Sequence, residues 1–550
     1  MNPAGPPAID HPGRGQVPWH TSGLHGRPLL LVGPVIAFVY LLGVTNQWWP
    51  TSDSALYLGL GRSLAAGEGY RFNGQPHNHV APGLPLLLAG IERLVGARFW
   101  AFNLAMCLIG LGAALVIYRV LASAVRRDQA ALVALATAAS YSFYVEAHRI
   151  LTDMPFALLF WMSLGACLRF CRGPWTWLVA VGALSILGVV VRVPGLVAFA
   201  ALAAALMLQW RLSPGRPRAF WAGATIVLSL AACALVLLAT AYRLSPRTPP
   251  YARVLVRLGD ASPLGWLRAF AGELRDLASE SAALVTGQSI GPVGLVLLLL
   301  GVIGSVVLWA QSRRLWATLW ILYPLMLAAC GGGAVRARYL LPVLPAMLYA
   351  MLTGLETIVA WWRRRRPGAT AAAGGRVSFV LVGILVLINA PKILRHAVWQ
   401  SYRAWTGAYY ESVLHGRYDG LPEMAWAVKL HTPANGLVIV SEDERIVHYW
   451  SGRRTATVRG PLPLETPEPL PPGTHRVPAA DTCVVLRLPE DSRVAPFWRD
   501  AAGKRTSGIT QVFKGPRYEV YKTGQPPRSQ SAPGTQDGRS TASSPADAAG

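Results

Sequence analysis

The acids of this chain are few and unevenly placed. Between residues 29 and 394 there are only eleven Asp or Glu, set among long apolar blocks. One of them, Asp53, comes directly after an apolar run that closes on Trp48-Trp49-Pro50. Tryptophan is enriched at the membrane–water boundary, so a carboxylate stands at the lip of a bilayer, a costly place for a charge without a use. A second polar group follows in Glu146-Ala-His148-Arg149-Ile-Leu-Thr-Asp153-Met-Pro155. Two short loops with acids, arginines and histidines, between helices that must pack together, can form one polar pocket against the bilayer. Such a pocket suits a substrate with a polar head and a lipid tail. The competing reading is capping: Asp53 or Ser52 can cap the helix that follows, and Thr152-Asp153-Met154-Pro155 is a helix-start signature with Pro in the first turn.

The elements that carry these loops are legible from composition. The chain has 550 residues, 53% hydrophobic and 14% charged, and its apolar residues come in blocks of about twenty, the length that crosses a bilayer as a helix. The spacing predicts a mainly α, polytopic membrane bundle of eleven spans, at 29–49, 98–122, 129–146, 154–171, 175–191, 194–211, 219–241, 291–310, 315–332, 339–362 and 376–394. Cytoplasmic loops carry an excess of Lys and Arg. Every even-numbered span exits into a basic loop: Arg126-Arg127, Arg169 with Arg172, Arg211 with Arg216 and Arg218, Arg313-Arg314, and Arg363 to Arg366. The N-terminus is therefore expected inside, with residues 50–97, 147–153, 242–290 and the C-terminal part outside, in a cytoplasmic (inner) membrane.

The net charge of +24, with 46 of 51 basic residues arginine, reads as topology and composition rather than nucleic-acid binding. The six cysteines are scattered and suggest neither a disulfide framework nor a metal site. Residues 1–28 read as a disordered cytoplasmic tail, 29–394 as the membrane domain, 395–522 as a small outer-face α/β domain and 523–550 as a second disordered tail. The α/β domain has candidate strands at 437–441, 483–488 and 518–521 around a Pro-rich loop at 461–478. In the first outer loop, the stretch from Asp53 to Gly69 reads as an interfacial helix, and that from Leu84 to Val95 equally as a second interfacial helix or a short buried one. The large loop with Asp260, Glu273, Asp276 and Glu280 reads as a solvated or interfacial cover.

The order Asp53-Ser-Ala-Leu-Tyr57, Gly67-Glu-Gly-Tyr70, His79-Val-Ala-Pro82-Gly-Leu-Pro85, Arg149-Ile-Leu-Thr-Asp153-Met-Pro-Phe156 and Arg336-Ala-Arg338-Tyr339-Leu-Leu-Pro342 resembles the GT-C membrane glycosyltransferases. The nearer groups are protein O-mannosyltransferases, lipid A aminoarabinose transferases and transferases that modify lipopolysaccharide. The resemblance covers residues 29 to about 365. It implies a polyprenyl-phosphate sugar donor, a glycan, lipid or protein acceptor, and Asp53 as the catalytic general base of an inverting transfer. Many of the group carry Asp-Glu where this chain has Asp53-Ser54. Arg149, Arg192, Arg336 and Arg338 fall at expected outer helix ends and are candidates for the donor phosphate, since a guanidinium fork matches phosphate geometry. Tyr57, Glu146, His148, Asp153 and Tyr339 are the further substrate-binding candidates. No cofactor is called for, and the candidates for a divalent metal are His77 and His79. The rival readings are a transporter or flippase, or a non-catalytic binder, of a lipid-linked sugar. A transporter would place polar residues near the bilayer midplane in repeated halves, whereas the acids here gather at one interface.

Overall fold

The structure is a computed structural model that describes residues 27–77, 80–212, 217–244, 262–330, 336–365, 374–412, 418–433, 436–440, 444–457, 482–487, 499 and 509–523. The expected terminal tails, His79, Asp260 and the Pro-rich loop lie outside the described residues. The remainder is a helical bundle with one five-stranded sheet near the C-terminus.

Among the described residues six helices are long and apolar enough to cross a membrane: Phe99–Ala122, Asp153–Phe170, Pro217–Val236, Gly291–Ala310, Ala337–Arg364 and Val377–Trp405. Arg127–Ala138 and Tyr141–Ala147 form a further pair bent by 64°, and Val32–Leu42, Thr176–Val191, Gly195–Arg211 and Arg314–Cys330 are shorter apolar helices. Each of the eleven expected segments coincides with one of these. The expectation of straight, full-length spans is corrected in two places. The 129–146 segment breaks where Ser140 caps a new helix through Phe143 N–H. Backbone freed inside a bilayer needs a partner, and Asn389 Oδ1 takes the Tyr141 N–H at 3.2 Å. The first helix, Arg27–Leu42, stops short of residue 49. The segment after it is held in non-helical form by Asn103, whose amide donates to the carbonyls of Thr45 and Gln47.

The bundle is close-packed. A Cβ on Gly304 would lie 1.7 Å from the carbonyl oxygen of Ala350, so the Gly291–Ala310 and Leu344–Arg364 helices touch backbone to backbone. Small residues allow this approach where lipid supplies no hydrophobic drive between helices. The basic loops gather at one end: Arg172 donates to Ser123 O, Arg218 to Gly173 O and Arg314 to Leu212 O. Each of these carbonyls lies just past the C-terminal end of an apolar helix, where a cation is favoured.

At the other end sits the Ser52–Ala65 helix. Ala55, Leu56, Leu58 and Leu60 are at most 1% exposed, so its apolar face is buried against protein. Its partners are the Gly83–Val95 helix and the C-terminal unit. The latter is a sheet of order Arg454–Thr457, Leu437–Val440, Thr482–Arg487, Tyr518–Thr523, Ile509–Lys514, parallel across its first three strands and antiparallel across the rest. The helix Glu444–Ser451 connects the Leu437–Val440 and Arg454–Thr457 strands as a parallel crossover. Two strands, Arg454–Thr457 and Ile509–Lys514, are absent from the sequence reading. Arg454–Thr457 has one apolar residue in four, and Ile509–Lys514 mixes Ile, Val and Phe with Thr, Gln and Lys, so neither shows a continuous apolar run.

Candidate active site

The local fold around Asp53 begins with a cap. Thr51, extended at φ −142° and ψ 152°, accepts from Ser54 N–H through its hydroxyl, and Ser54 Oγ accepts from Thr51 N–H, both at 3.0 Å. The Trp48 indole N–H donates to Ser54 Oγ as well. Thr51 is thus the N-cap and Ser54 closes a capping box, so neither Asp53 nor Ser52 caps the helix. The residue that replaces a second acid in the resembling proteins is buried in this box. Asp53 is left in the first turn, where the helix dipole favours a carboxylate. It stands between two guanidinium groups: Arg338 Nη2 is 3.5 Å from Oδ2 and Arg445 Nη1 is 3.7 Å from Oδ1. The Asp53 side chain keeps 44% of its exposure.

Asp53 forms one wall of a cavity of about 220 Å³. Tyr57 comes from the same helix, Val80 and Ala81 from the segment before Gly83–Val95, and Leu151, Thr152 and Asp153 from the start of Asp153–Phe170. Val191, Arg192, Val193 and Pro194 come from the turn between Thr176–Val191 and Gly195–Arg211, and Arg338 and Tyr339 complete it. Asp153 lies at its floor, with a side chain 2% exposed and an ion pair to Arg192 Nη1 at 2.9 Å. The same Nη1 donates to Thr152 Oγ1 at 2.9 Å. Burial works against the charge of Arg192, but Asp153, Tyr323, Tyr339 and Tyr57 more than offset it, and Arg192 titrates above its ordinary value. Burial pushes the Tyr57 phenol up to about 12, against the hydrogen bond with Thr152. Tyr339 supports both arginines: Arg192 lies 4.8 Å and Arg338 5.0 Å from its ring centroid, within cation–π range.

The six residues Asp53, Tyr57, Asp153, Arg192, Arg338 and Tyr339 therefore meet in one cavity, and the other sequence candidates do not. Glu146 is buried and paired with Arg149 at 2.9 Å, while Arg149 lies over the Trp49 ring. His148 is buried with its ring nitrogens 2.8 Å from the carbonyl oxygens of Tyr144 and Tyr40. Burial lowers its pKa, and a neutral ring donates to one of these carbonyls; with the proton on Nε2 that carbonyl is Tyr40 O, which ties the first helix to the bent span. Arg336 N-caps the short Ala337–Leu340 helix and does not line the cavity. His77 packs edge-on against Tyr70 and Phe72. Among the described residues no three His, Cys, Asp or Glu side chains converge as a metal-ligand set.

Three residues take part that the sequence did not single out as site candidates. Arg445 reaches Asp53 from the C-terminal unit, and Thr152 joins Tyr57 and Arg192. Glu280, in the helix Pro263–Thr286, accepts the Ala337 N–H at 2.5 Å and so fixes the start of the segment bearing Arg338.

Residues 79–237 match the family model described as dolichyl-phosphate-mannose-protein mannosyltransferase. Over nearly its whole length the fold is similar to ArnT from Cupriavidus metallidurans bound to undecaprenyl phosphate, at TM-score 0.56 and 17% identity, covering 91% of this chain and 99% of that one. The apo form of ArnT gives TM-score 0.56 and 16% identity over 90% and 98%. The apo oligosaccharyltransferase of Archaeoglobus fulgidus gives 0.50 and 13% over 88% and 72%. No curated protein matches in sequence. The chain is thus similar to that family over residues 79–237 and to ArnT in its fold, and its apolar helices make it a multi-pass membrane protein.

Proposed function

We propose that this protein transfers a single sugar, hexose or pentose, from a polyprenyl-phosphate donor to an acceptor hydroxyl at the outer face of the cytoplasmic membrane. The observation that carries the reading is the half-exposed Asp53 carboxylate facing a cavity whose rim carries Arg338 and whose floor carries the Asp153–Arg192 pair. The undecaprenyl phosphate in ArnT supports a lipid phosphate as the donor's carrier. The gathering of arginines at the opposite end supports a cytoplasmic placement of that end, which puts the cavity and the C-terminal unit outside. The division into a membrane domain at 29–394 and an α/β domain at 395–522 belongs to the same proposal.

Asp53 takes the proton from the acceptor hydroxyl as its oxygen bonds to the anomeric carbon. The bond from that carbon to the phosphate oxygen breaks on the opposite face, its electron pair leaves with the polyprenyl phosphate, and the anomeric configuration inverts. Arg338 offers the charge that the leaving phosphate needs. The acceptor is a glycan, a lipid or a protein presenting a hydroxyl. The test is product formation by purified protein with a panel of labelled polyprenyl-phosphate sugars. The expected result is transfer from one donor with inverted configuration, while retained configuration or no transfer from any donor would contradict it.

A further inference from the structure

We infer that the C-terminal α/β unit is part of the active site, and that its Arg445 binds the donor phosphate together with Arg338, exchanging Asp53 for the phosphate when donor arrives. This rests on the reading of Asp53 as base and adds to it a second cation from a different part of the chain.

Charge accounting leads to this assignment. Counting the described side chains that meet at the mouth, one carboxylate, Asp53, faces two guanidinium groups, Arg338 and Arg445, while Asp153 on the floor is matched by Arg192. Among these described side chains, the positive charge exceeds by one what Asp53 neutralises. A sugar–lipid phosphodiester carries one negative charge and balances it. After transfer, Asp53 holds the acceptor's proton and is neutral, and the phosphate has become a monoester of charge about −1.5 to −2 at neutral pH. Two arginines balance that state also. With Arg338 alone, both states would hold a surplus negative charge close to a low-dielectric membrane, where it is costly.

The geometry fits an exchange rather than a permanent bond. Arg192 meets Asp153 at 2.9 Å in the interior, but Arg338 and Arg445 stand 3.5 and 3.7 Å from Asp53, and both are about one-third exposed. Exposed pairs of this kind are weak, and a phosphate with several acceptor oxygens competes well for a guanidinium fork. In the empty site the two arginines shield the carboxylate. In the loaded site they hold the phosphate and leave Asp53 open to the acceptor.

The position of Arg445 is held by a dock at the far end of its helix. Asn73, in a left-handed turn at φ 55°, donates to Thr455 O at 2.6 Å and accepts Thr455 N–H at 2.9 Å, on the edge strand of the sheet. Its own N–H donates to His448 Nε2, and Arg62 lies 4.4 Å from the centroid of the Tyr449 ring. The unit is therefore joined to the same segment that carries Asp53.

The experiment compares Arg445→Ala, Arg445→Lys and Asp53→Asn in the full-length protein, using binding of a labelled polyprenyl phosphate, binding of the matching neutral polyprenol, and sugar transfer. Arg445→Ala is expected to weaken phosphate binding about tenfold or more while leaving polyprenol binding unchanged, and to lower kcat more than it raises KM, because charge on the phosphate grows as the bond breaks. Arg445→Lys restores part of the binding and also carries the test if the alanine variant does not fold. Asp53→Asn is expected to bind phosphate at least as tightly as wild type, since the competing carboxylate is gone. Wild-type phosphate binding and transfer in both Arg445 variants would overturn the inference. Normal transfer by Asp53→Asn would instead remove the general base and leave the phosphate role of Arg445 to its own binding result.

Discussion

Asp53 and Asp153 are two versions of one arrangement. Each stands in the first turn of a helix, each faces arginine, and each borders the same cavity. The difference is water. The Asp53 side chain is 44% exposed and loosely held by two arginines, whereas Asp153 is 2% exposed and tightly held by one. A buried pair that loses one partner leaves an uncompensated charge in the interior, while a half-exposed pair can open at little cost. Asp153 with Arg192 is thus suited to fix the floor, and Asp53 to meet substrate and change protonation state during a reaction.

The largest effect should separate the two pairs. Arg192→Ala is expected to destabilise the protein by about 3–5 kcal/mol, seen as a lower unfolding midpoint in detergent, while Asp53→Asn should move that midpoint little. Equal shifts would erase the distinction. Next comes Asn73→Ala, which removes the two-way contact with the edge strand. Its expected cost is about 1–3 kcal/mol of docking, read as faster proteolysis of the C-terminal unit together with reduced transfer as Arg445 loses its position. Thr51→Ala should cost about 1 kcal/mol through the lost cap, measured by the same unfolding midpoint, and should reduce transfer because Asp53 rides on that first turn.

The smallest effect is in pH. The Tyr57 phenol is pushed up to about 12 by burial, so its folded pKa lies above the unfolded value. Its contribution is fully present below about pH 10 and is lost as pH rises through about 12. Tyr57→Phe should remove that alkaline loss, which a pH series of unfolding midpoints would detect.

The spans were legible because each needs a continuous apolar run, and arginines mark the ends of that run. The 64° bend at Ser140 was not, since its freed N–H is met by Asn389, a residue from a distant helix. The same limit governs the site. Asp53, Asp153 and Arg338 stand out as polar residues at the ends of apolar blocks. Arg445 follows a run of acids in a soluble-looking segment, and the docking of Asn73 on Thr455 and His448, with Arg62 over Tyr449, brings it near Asp53. The burial of the Ser52–Ala65 helix was also hidden: an apolar face reads alike whether it meets lipid or the C-terminal unit. Glu146, His148 and Arg149 carry the residue types of a site, but their charges and hydrogen bonds are spent on one another and on nearby helices.

The central claim is that Asp53 is the general base, and single-turnover transfer by Asp53→Asn with saturating donor tests it most directly. A general base contributes about 10²- to 10⁴-fold. The account predicts a loss of that size with binding of polyprenyl phosphate retained, and transfer within about threefold of wild type would contradict it.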